Sequence, residues 1–433
     1  MRKFLWQILL LALPVLALAQ DGEFNYVKPP EFSDNVKPLW LTEIFPAVRA
    51  EWLTYLDITL LLLALGITAW LLLKKRSRNG VFIVMLFSLG YFGFFRHGCI
   101  CSVGSIQNVA LSIFNPSQAL PVATLIFFLA PLVFTLFYGR VFCAGVCPLG
   151  ALQDLVQLKP LRLPIWLENT LGIIPFIYLG LGVLYAATGS LFLICQYDPF
   201  VAFFRLSGTP TMLIAGAALL AVGMVIGRPY CRFICPYSAL LRLLGPLARW
   251  RVQVTPTECI QCHLCADACP YNAINVPTPE PTAGKRAEGK KQLALLLVLL
   301  PILVVGGAYL GRAAGPTFAQ LDQTVKQANL VRAEILQYGQ IMKKAPETYS
   351  YARSGKPVSD LYKAAAAVHA KFAMGGTAFG GYLGLVFGVA LIGLTIRRRR
   401  INYEADPARC VSCARCYNSC PFSHVDTEKE VEP

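Results

Sequence analysis

The chain has 433 residues, of which 56% are hydrophobic, and its mean hydropathy is +0.54. This composition is typical of an integral membrane protein and excludes an ordinary soluble domain. The net charge of +15 would suggest a nucleic-acid partner in a soluble protein. Here the basic residues cluster beside apolar segments, so we interpret them as topology signals and expect no nucleic-acid partner.

The first 52 residues predict an export signal and an external arm. Residues 1–19 combine a basic pair at positions 2 and 3, an apolar stretch and a small-residue pattern that ends at Ala19, as in a signal peptide. An uncleaved membrane helix is the alternative. Residues 20–52 are polar and proline-rich, and we expect this arm to lie outside the cytoplasm.

Seven apolar segments after the signal predict membrane-spanning helices. They lie at about 53–73, 81–95, 121–138, 171–192, 212–226, 293–310 and 379–396. Basic runs at 74–76 and 397–400 abut the first and the last segment and should face the cytoplasm. The sequence therefore predicts an all-α, multi-pass membrane bundle in the bacterial cytoplasmic (inner) membrane, with residues 53–250 as its main body.

A cysteine motif recurs within the main body. Each of two strong copies has a Gly-Arg pair, two cysteines separated by three residues, a proline and a helix pattern. The cysteines of the strong copies are Cys143, Cys147, Cys231 and Cys235. Proline suits the first turn of a helix, so the second cysteine of each pair should lie at a helix N-terminus, where a thiolate is favoured. The alternation of the segments assigns both strong copies to the cytoplasmic face.

Two weak copies of the motif fall at the opposite, external face. They are centred on Cys101 and Cys195. The first cysteine of the pair is replaced by His97 in one copy and by Leu191 in the other, and Cys99 is added beside His97. We therefore expect a second, altered site at the external face.

Two further cysteine runs have the Cys-x2-Cys-x2-Cys-x3-Cys-Pro spacing of bacterial ferredoxins. This spacing predicts two [4Fe–4S] clusters, because zinc sites favour paired Cys-x2-Cys units with a longer gap. In two-cluster ferredoxins the fourth cysteine of each run binds the other cluster. One cluster is therefore predicted on Cys259, Cys262, Cys265 and Cys420. The other is predicted on Cys410, Cys413, Cys416 and Cys269.

The two ferredoxin runs lie far apart in the sequence, so the predicted α+β ferredoxin-like domain is split. Its halves, 251–290 and 401–433, should meet at the cytoplasmic face. The insertion between them comprises a membrane helix at 291–310, an external helical domain at 311–376 and a second membrane helix at 377–400. The insertion would leave the cytoplasm and return to it.

The four cysteines of the strong copies predict a further iron–sulfur cluster at the inner membrane edge. Structural zinc and free buried thiols are the alternatives. At the outer edge, Cys99, Cys101 and Cys195 predict a cluster or another metal site, with His97 as a candidate metal ligand. A disulfide from Cys195 to either neighbour is the competing interpretation, because an oxidising exterior favours disulfides, and free thiols are the third.

Several charged residues lie at segment ends. Arg140 and Arg228, of the Gly-Arg pairs, either orient thiolates or mark the cytoplasmic face, and the positive-inside pattern favours the second interpretation. For Asp57, Asp154 and Asp198 we expect solvation at the membrane boundary rather than a proton or quinone role.

The motifs resemble those of the membrane polyferredoxin family. That family includes the quinol-dehydrogenase subunit of periplasmic nitrate reductase and the membrane part of the nitrous-oxide reductase regulator. The resemblance covers about 80–275 and 400–425 and rests on the two strong copies and the two ferredoxin runs. It implies electron transfer between a quinone or cytoplasmic donor and a protein outside the cytoplasm. The separated ferredoxin runs and the external cysteines depart from the family pattern.

The sequence thus predicts an electron-conducting membrane subunit of a larger redox complex. Its expected partners are the membrane, redox proteins on the two sides and a quinone. We find no nucleophile–base pair, phosphate loop or flavin-attachment motif, so we assign no catalytic residue. The alternatives are a maturation or metal-reducing assembly factor and a redox sensor with the external helical domain as its output.

Overall fold

The computed structural model describes part of the chain and is mostly helical there. The described residues are 50–98, 101–116, 118–158, 160–205, 209–254, 259–278, 283–339, 348, 351, 357–395 and 400–421. The predicted signal peptide, nearly all of the predicted external arm and Cys99 lie outside these residues.

Apolar runs and N-terminal prolines define the helices of the membrane body. They are α1 Glu51–Leu73, α2 Arg78–Ser88, α3 Ser102–Phe114, α4 Val122–Tyr138, α5 Pro148–Val156, α6 Ile165–Leu171, α7 Ile174–Ala187, α8 Leu193–Tyr197, α9 Pro199–Arg205, α10 Pro210–Val225, α11 Pro229–Phe233 and α12 Pro236–Leu244. Two π-helical segments, Leu89–Phe95 and Phe142–Val146, and a 3-10 turn, Gly245–Leu247, complete this part.

The remaining elements belong to the ferredoxin halves and to the insertion between them. They are α13 Leu264–Asp267, β1 Ile274–Asn275, α14 Ala283–Ala319, α15 Gln323–Tyr338, α16 Val358–Thr395, β2 Glu404–Ala405 and α17 Arg415–Ser419. Strands β1 and β2 pair antiparallel, with Ile274 opposite Ala405. Because β1 lies in the first ferredoxin half and β2 in the second, the two halves join in one small domain.

All seven predicted membrane segments fall on helices, but not all of these helices have the length of a span. In the part of the chain that the structure describes, five helical stretches are long and apolar enough to cross a membrane, or six if α9 and α10, which are bent by 102°, count as one span. The predicted segment at 121–138 is not counted, because α4 is apolar but has only 17 residues. The coarse prediction of a helical membrane protein is confirmed.

The insertion folds back on itself as a helical hairpin. Helices α14 and α16 pack closely along their length, and α15 packs on α16. The contact is made by glycines, because a Cβ at Gly307 or Gly311 would clash with the backbone of Gly380 or Gly376. Both long helices continue past the boundaries predicted at 310 and 377. Those boundaries were placed where the apolar residues end. The glycine contacts between the two helices continue beyond them, into more polar residues.

Candidate metal centres

The first ferredoxin run is joined by the last cysteine of the second run. Cys259, Cys262, Cys265 and Cys420 line one small hollow. Burial and, to a smaller extent, the charges of the other three sulfurs raise the pKa of the Cys265 thiol to about 11. A free thiol at this position therefore stays protonated at neutral pH, and a bound metal would be needed to stabilise its thiolate.

The second run shows the reciprocal arrangement. Cys410, Cys413, Cys416 and Cys269 line a second small hollow. The backbone N–H groups of Ser412 and Ala273 donate to the sulfurs of Cys410 and Cys269, both at 3.4 Å. Burial raises the pKa of Cys410 to about 12. The structure thus brings together the two crossed sets that the ferredoxin spacing predicted.

The same backbone conformation turns the thiols inward in both runs. Gln261 and His263 have φ of 53° and 63°, and Ser412 and Ala414 at the same places in the second run have φ of 55° and 60°. Such left-handed conformations are strained for non-glycine residues and persist only where the surroundings impose them. Their repetition shows that the two runs adopt one local fold.

The strong copies converge as predicted. Cys147 and Cys235 cap the N-termini of α5 and α12, each followed by proline at the first helical position. Cys143 lies in the second π-helical segment and Cys231 in α11. The four thiols are close enough to interact electrostatically with one another. They form the cysteine group that we call the inner site.

Polar side chains surround the inner-site sulfurs, and spacing arguments missed most of them. The Gln153 Nε2 group donates to Cys231 Sγ at 3.2 Å, and its Oε1 accepts from the Tyr230 N–H at 3.0 Å. Arg140 Nη2 lies 3.8 Å from Cys143 Sγ. The sequence signal for Gln153 was its place six residues after Cys147, which matches Gln107 after Cys101 in the weak copy.

The interpretation of Arg140 and Arg228 as topology markers alone is wrong. Both are buried, with 2% and 0% of their surfaces exposed. Arg228 Nη1 donates to the Cys143 carbonyl at 2.5 Å, and its guanidinium interacts electrostatically with Cys231 and Cys413. We call the cysteine sets around the first and second runs the first and second ferredoxin groups. The buried Arg228 guanidinium therefore interacts with both the inner site and the second ferredoxin group.

Boundary solvation is also wrong for the three aspartates. Asp57, Asp154 and Asp198 expose 1%, 6% and 3% of their surfaces. Asp57 pairs with Arg96 at 3.1 Å, and Asp198 accepts a hydrogen bond from the Tyr230 hydroxyl at 2.9 Å. Each carboxylate is satisfied by protein groups, because a buried charge without partners is too costly.

Asp154 joins the membrane body to both ferredoxin halves. Arg78 and Arg228 of the membrane body pair with it at 2.7 and 3.3 Å. Tyr271 of the first half donates to it at 2.8 Å, and Arg415 of the second half pairs with it at 3.0 Å. Burial alone would raise the pKa of Asp154, but these guanidinium groups hold it well below its usual range.

The two weak copies gather fewer described thiols than the strong copies. Cys101 caps the N-terminus of α3, and Cys195 lies in α8. Both line a cavity of about 310 Å³, together with His97, Asp198 and the inner-site residue Cys147. We call Cys101 and Cys195 the outer pair. His97, which the sequence predicted as a further metal ligand, lines the same cavity as the pair.

The described cysteine groups can be compared with the spacing that a single zinc ion requires. Thiolates on one zinc ion stand about 2.3 Å from it and hence about 4 Å from one another. Within the described ranges, no three His, Cys, Asp or Glu side chains are placed so that one metal ion could be held. A cluster binds its thiolates through separate iron atoms, so its ligands stand farther apart.

Comparison with known proteins agrees with this chemistry. A family model described as a 4Fe-4S binding domain matches residues 120–172 and 209–255, which contain the inner site. A second model with the same description matches residues 252–275, which contain the first ferredoxin run. The chain carries 4Fe–4S binding domains.

The relatives include a proposed electron transport protein and a ferredoxin-type protein of methylamine utilization. The chain is 28% identical over 210 residues to an uncharacterized protein of Methanocaldococcus jannaschii, covering 46% of this chain and 82% of that protein. It is 29% identical over 225 residues to YccM of Escherichia coli, proposed to be an electron transport protein, covering 42% and 62%. The resemblance to the membrane polyferredoxin family is confirmed.

A third relative matches a larger part of this chain. The regulatory protein NosR of Stutzerimonas stutzeri is 24% identical over 303 residues, covering 60% of this chain and 40% of NosR. No solved structure gives a significant match. The 4Fe–4S domain matches and these relatives support iron–sulfur electron transfer in general.

Proposed function

We propose that this protein conducts electrons across the cytoplasmic membrane, from a cytoplasmic or quinone-pool donor to an acceptor outside the cytoplasm. It acts as a subunit of a larger redox complex. The ferredoxin domain faces the cytoplasm, and residues 311–376 lie outside. Two [4Fe–4S] clusters occupy the ferredoxin groups, and one further iron–sulfur cluster occupies the inner site.

The observation that carries the proposal is the succession of cysteine groups. The first and second ferredoxin groups are neighbours, since Cys265 and Cys416 interact electrostatically. The second group and the inner site share Arg228, which interacts with Cys413 and Cys231. The inner site and the outer pair are neighbours through Cys147 and Cys101. Each group thus has the next within electrostatic reach.

The chain's own residues prepare these sites for charge transfer. A bound cluster would supply one-electron oxidation and reduction at nearly fixed geometry. The protein contributes burial, N–H donors to sulfur and fixed cations, which together set reduction potentials. Gln153, Arg140 and Arg228 provide such donors and charge around the inner site.

Sealed liposomes test the conduction. The intact protein is reconstituted with ferricyanide trapped inside, and titanium(III) citrate, which does not cross the bilayer, is added outside. Potassium with valinomycin removes the opposing membrane potential. We expect loss of ferricyanide absorbance with wild-type protein and not with Cys147→Ser. Ser112→Ala in α3, whose hydroxyl bonds only to its own helix, serves as the control.

Ferricyanide reduction no faster than in protein-free liposomes, although electron paramagnetic resonance (EPR) shows reduced ferredoxin clusters, would contradict the proposal. The protein would then be an anchored carrier on one face of the membrane.

A redox sensor is the second candidate, favoured by the relative that is named a regulatory protein. In that case cluster reduction should change the protease sensitivity of residues 311–376 without sustained ferricyanide reduction. Limited proteolysis of oxidised and reduced protein separates the two functions.

A further inference from the structure

The outer pair is a remnant of the arrangement seen at the inner site. Both sites begin with a cysteine that caps a short helix, Cys147 for α5 and Cys101 for α3. The inner site adds three more thiols. At the outer face His97 and Leu191 occupy the places where two of those thiols align, which leaves Cys101 and Cys195.

The two remaining sulfurs approach one another over a glycine. A Cβ built on Gly104 would lie 3.1 Å from Cys195 Sγ and 4.0 Å from Cys101 Sγ. Gly104 N donates to Cys101 Sγ at 3.4 Å and holds that sulfur at the start of α3. The absence of a side chain at Gly104 leaves a space that both sulfurs border.

The space beside the pair is larger than the hollow of either ferredoxin run. The hollows of the two ferredoxin groups have volumes of about 10 and 20 Å³. The cavity at the outer pair measures about 310 Å³, which is the size of a small-molecule or side-chain binding site. Cys195 is exposed, whereas Cys101 is partly buried. An incoming group from outside can therefore reach Cys195 first.

We propose that Cys101 and Cys195 form a redox-active dithiol–disulfide pair that receives electrons from the inner site and reduces a disulfide of an extracytoplasmic protein. The inference rests on the proposed conduction of electrons to the outer face. It deepens that function by naming the chemical class of the acceptor.

The exchange balances in atoms and electrons. The Cys195 sulfur attacks one sulfur of the external disulfide, and a mixed disulfide and one free thiol result. The Cys101 sulfur then attacks Cys195 Sγ, which releases the second thiol and closes the Cys101–Cys195 disulfide. Two electrons pass outward, and the two protons of the pair go to the released thiols. Two one-electron transfers through the inner site and two protons from external water restore the dithiol.

Differential alkylation tests the pair in proteoliposomes that carry the complete chain. The protein is oxidised, titanium(III) citrate is added on the ferredoxin side, and new thiols are alkylated and counted by mass spectrometry. In wild type we expect two additional alkyl groups on the peptides that contain Cys101 and Cys195. In Cys147→Ser we expect none. Ser112→Ala should behave as wild type.

Iron content separates the pair from an outer cluster. Cys101→Ser and Cys195→Ser should retain the wild-type iron count and EPR signals while losing the disulfide. In Cys99→Ser the bond between Cys101 and Cys195 should still form. Loss of iron in the Cys101 or Cys195 variants, or loss of the bond in Cys99→Ser, would overturn the inference.

The two proposals fail in different ways. A pair that stays oxidised while trapped ferricyanide is reduced overturns only the dithiol inference. Reduced ferredoxin clusters without ferricyanide reduction overturn the proposed conduction and, with it, this inference.

Discussion

Single side chains around the inner site should set the reduction potential of a cluster bound there. Arg228 has no exposed surface, yet it contacts the Cys143 carbonyl and faces cysteines of two groups. Gln153 is also fully buried and uses both ends of its amide, one on Cys231 and the other on Tyr230. Positive charge and N–H donors near cluster sulfurs stabilise the reduced, more negative state. These residues should therefore hold the potential of the inner site up.

Gln153→Leu should lower the midpoint potential of the inner site. The substitution removes the N–H donor at 3.2 Å from Cys231 Sγ. A hydrogen bond has a net value of about 1 kcal/mol, which corresponds to roughly 40 mV for a one-electron centre. EPR-monitored redox titration measures the shift. Gln107→Leu is the control, since that glutamine occupies the matching position in the weak copy and accepts a hydrogen bond from the Cys195 N–H at 3.2 Å. Equal inner-site potentials in the two variants would show that the bond has no tuning role.

At the scale of elements, glycine contacts hold the inserted hairpin together. Gly307 and Gly311 on α14 face Gly376, Gly380 and Gly384 on α16 at backbone contact. In lipid, hydrophobic burial gives no driving force between helices, so close backbone packing supplies the stabilisation. The hairpin carries the second ferredoxin half back to the first. Its packing therefore bears on how the split domain assembles.

Gly307→Ala should destabilise the hairpin, and Gly306→Ala should not. A Cβ at Gly307 would clash with the backbone oxygen of Gly380, whereas a Cβ at Gly306 has no neighbour within 4 Å. We expect the first substitution to reduce stability by about 1–3 kcal/mol. The second should be neutral or should stabilise by about 0.5–1 kcal/mol through helix propensity. Thermal unfolding in detergent compares them, and equal effects of the two alanines would refute the glycine packing.

Over the whole molecule, two buried carboxylates fasten the split ferredoxin domain to the membrane body. Asp154 binds arginines from the body and from the second half, and it also binds Tyr271 of the first half. Glu168 binds Arg232 of the body, Asn272 of the first half at 3.0 Å and Arg409 of the second half at 3.6 Å. Because each carboxylate bridges three segments, domain and body should behave as one cooperative unit.

Asp154→Asn should release the ferredoxin domain. It leaves buried arginines without their anion, and breaking such a group costs about 3–5 kcal/mol. The matched control is Asp267→Asn, which removes the exposed Arg162–Asp267 pair at 2.8 Å and should cost less than about 1 kcal/mol. Limited proteolysis and cluster loss under air report the release. Similar behaviour of the two variants would contradict the fastening role.

The pH dependence follows from the lowered pKa of Asp154. Its stabilisation should be complete above about pH 4, the unfolded pKa, and should be lost only as the pH falls through the lower folded pKa. The wild-type fastening should therefore be constant across neutral pH.

Cysteine spacing predicted which cysteines lie together, because the motifs fix the local backbone. The ferredoxin runs impose their own turns, and the prolines after Cys147 and Cys235 start helices on the cysteines. The carboxylate contacts left no such signal. Asp154 lies 76 residues from Arg78 and 261 from Arg415, so only the assembled fold brings them together. A residue at a predicted segment end was therefore interpreted as solvated when it is buried.

The crossed cysteine sets predict which cluster of the split domain each cysteine variant disturbs. Cys420 lies in the second half but lines the hollow of the first run, and Cys269 lies in the first half but lines the hollow of the second. Cys420→Ser should therefore disturb the cluster held by Cys259, Cys262 and Cys265 and spare the other. Cys269→Ser should do the reverse. EPR of anaerobically purified protein, with iron counted per chain, distinguishes the two clusters.

The number of iron atoms per chain gives the expected size of the change in these variants. Two ferredoxin cubanes contribute about 8 iron atoms, and a cubane at the inner site would bring the total to about 12. Each single variant should lose about 4 of these atoms or retain them in a cluster with an altered EPR signal. If Cys420→Ser disturbed only the cluster of Cys410, Cys413 and Cys416, each run would bind its own cluster. The two halves would then need only the β1–β2 pairing and the carboxylate contacts to stay together, and the hairpin could fold without a shared metal site.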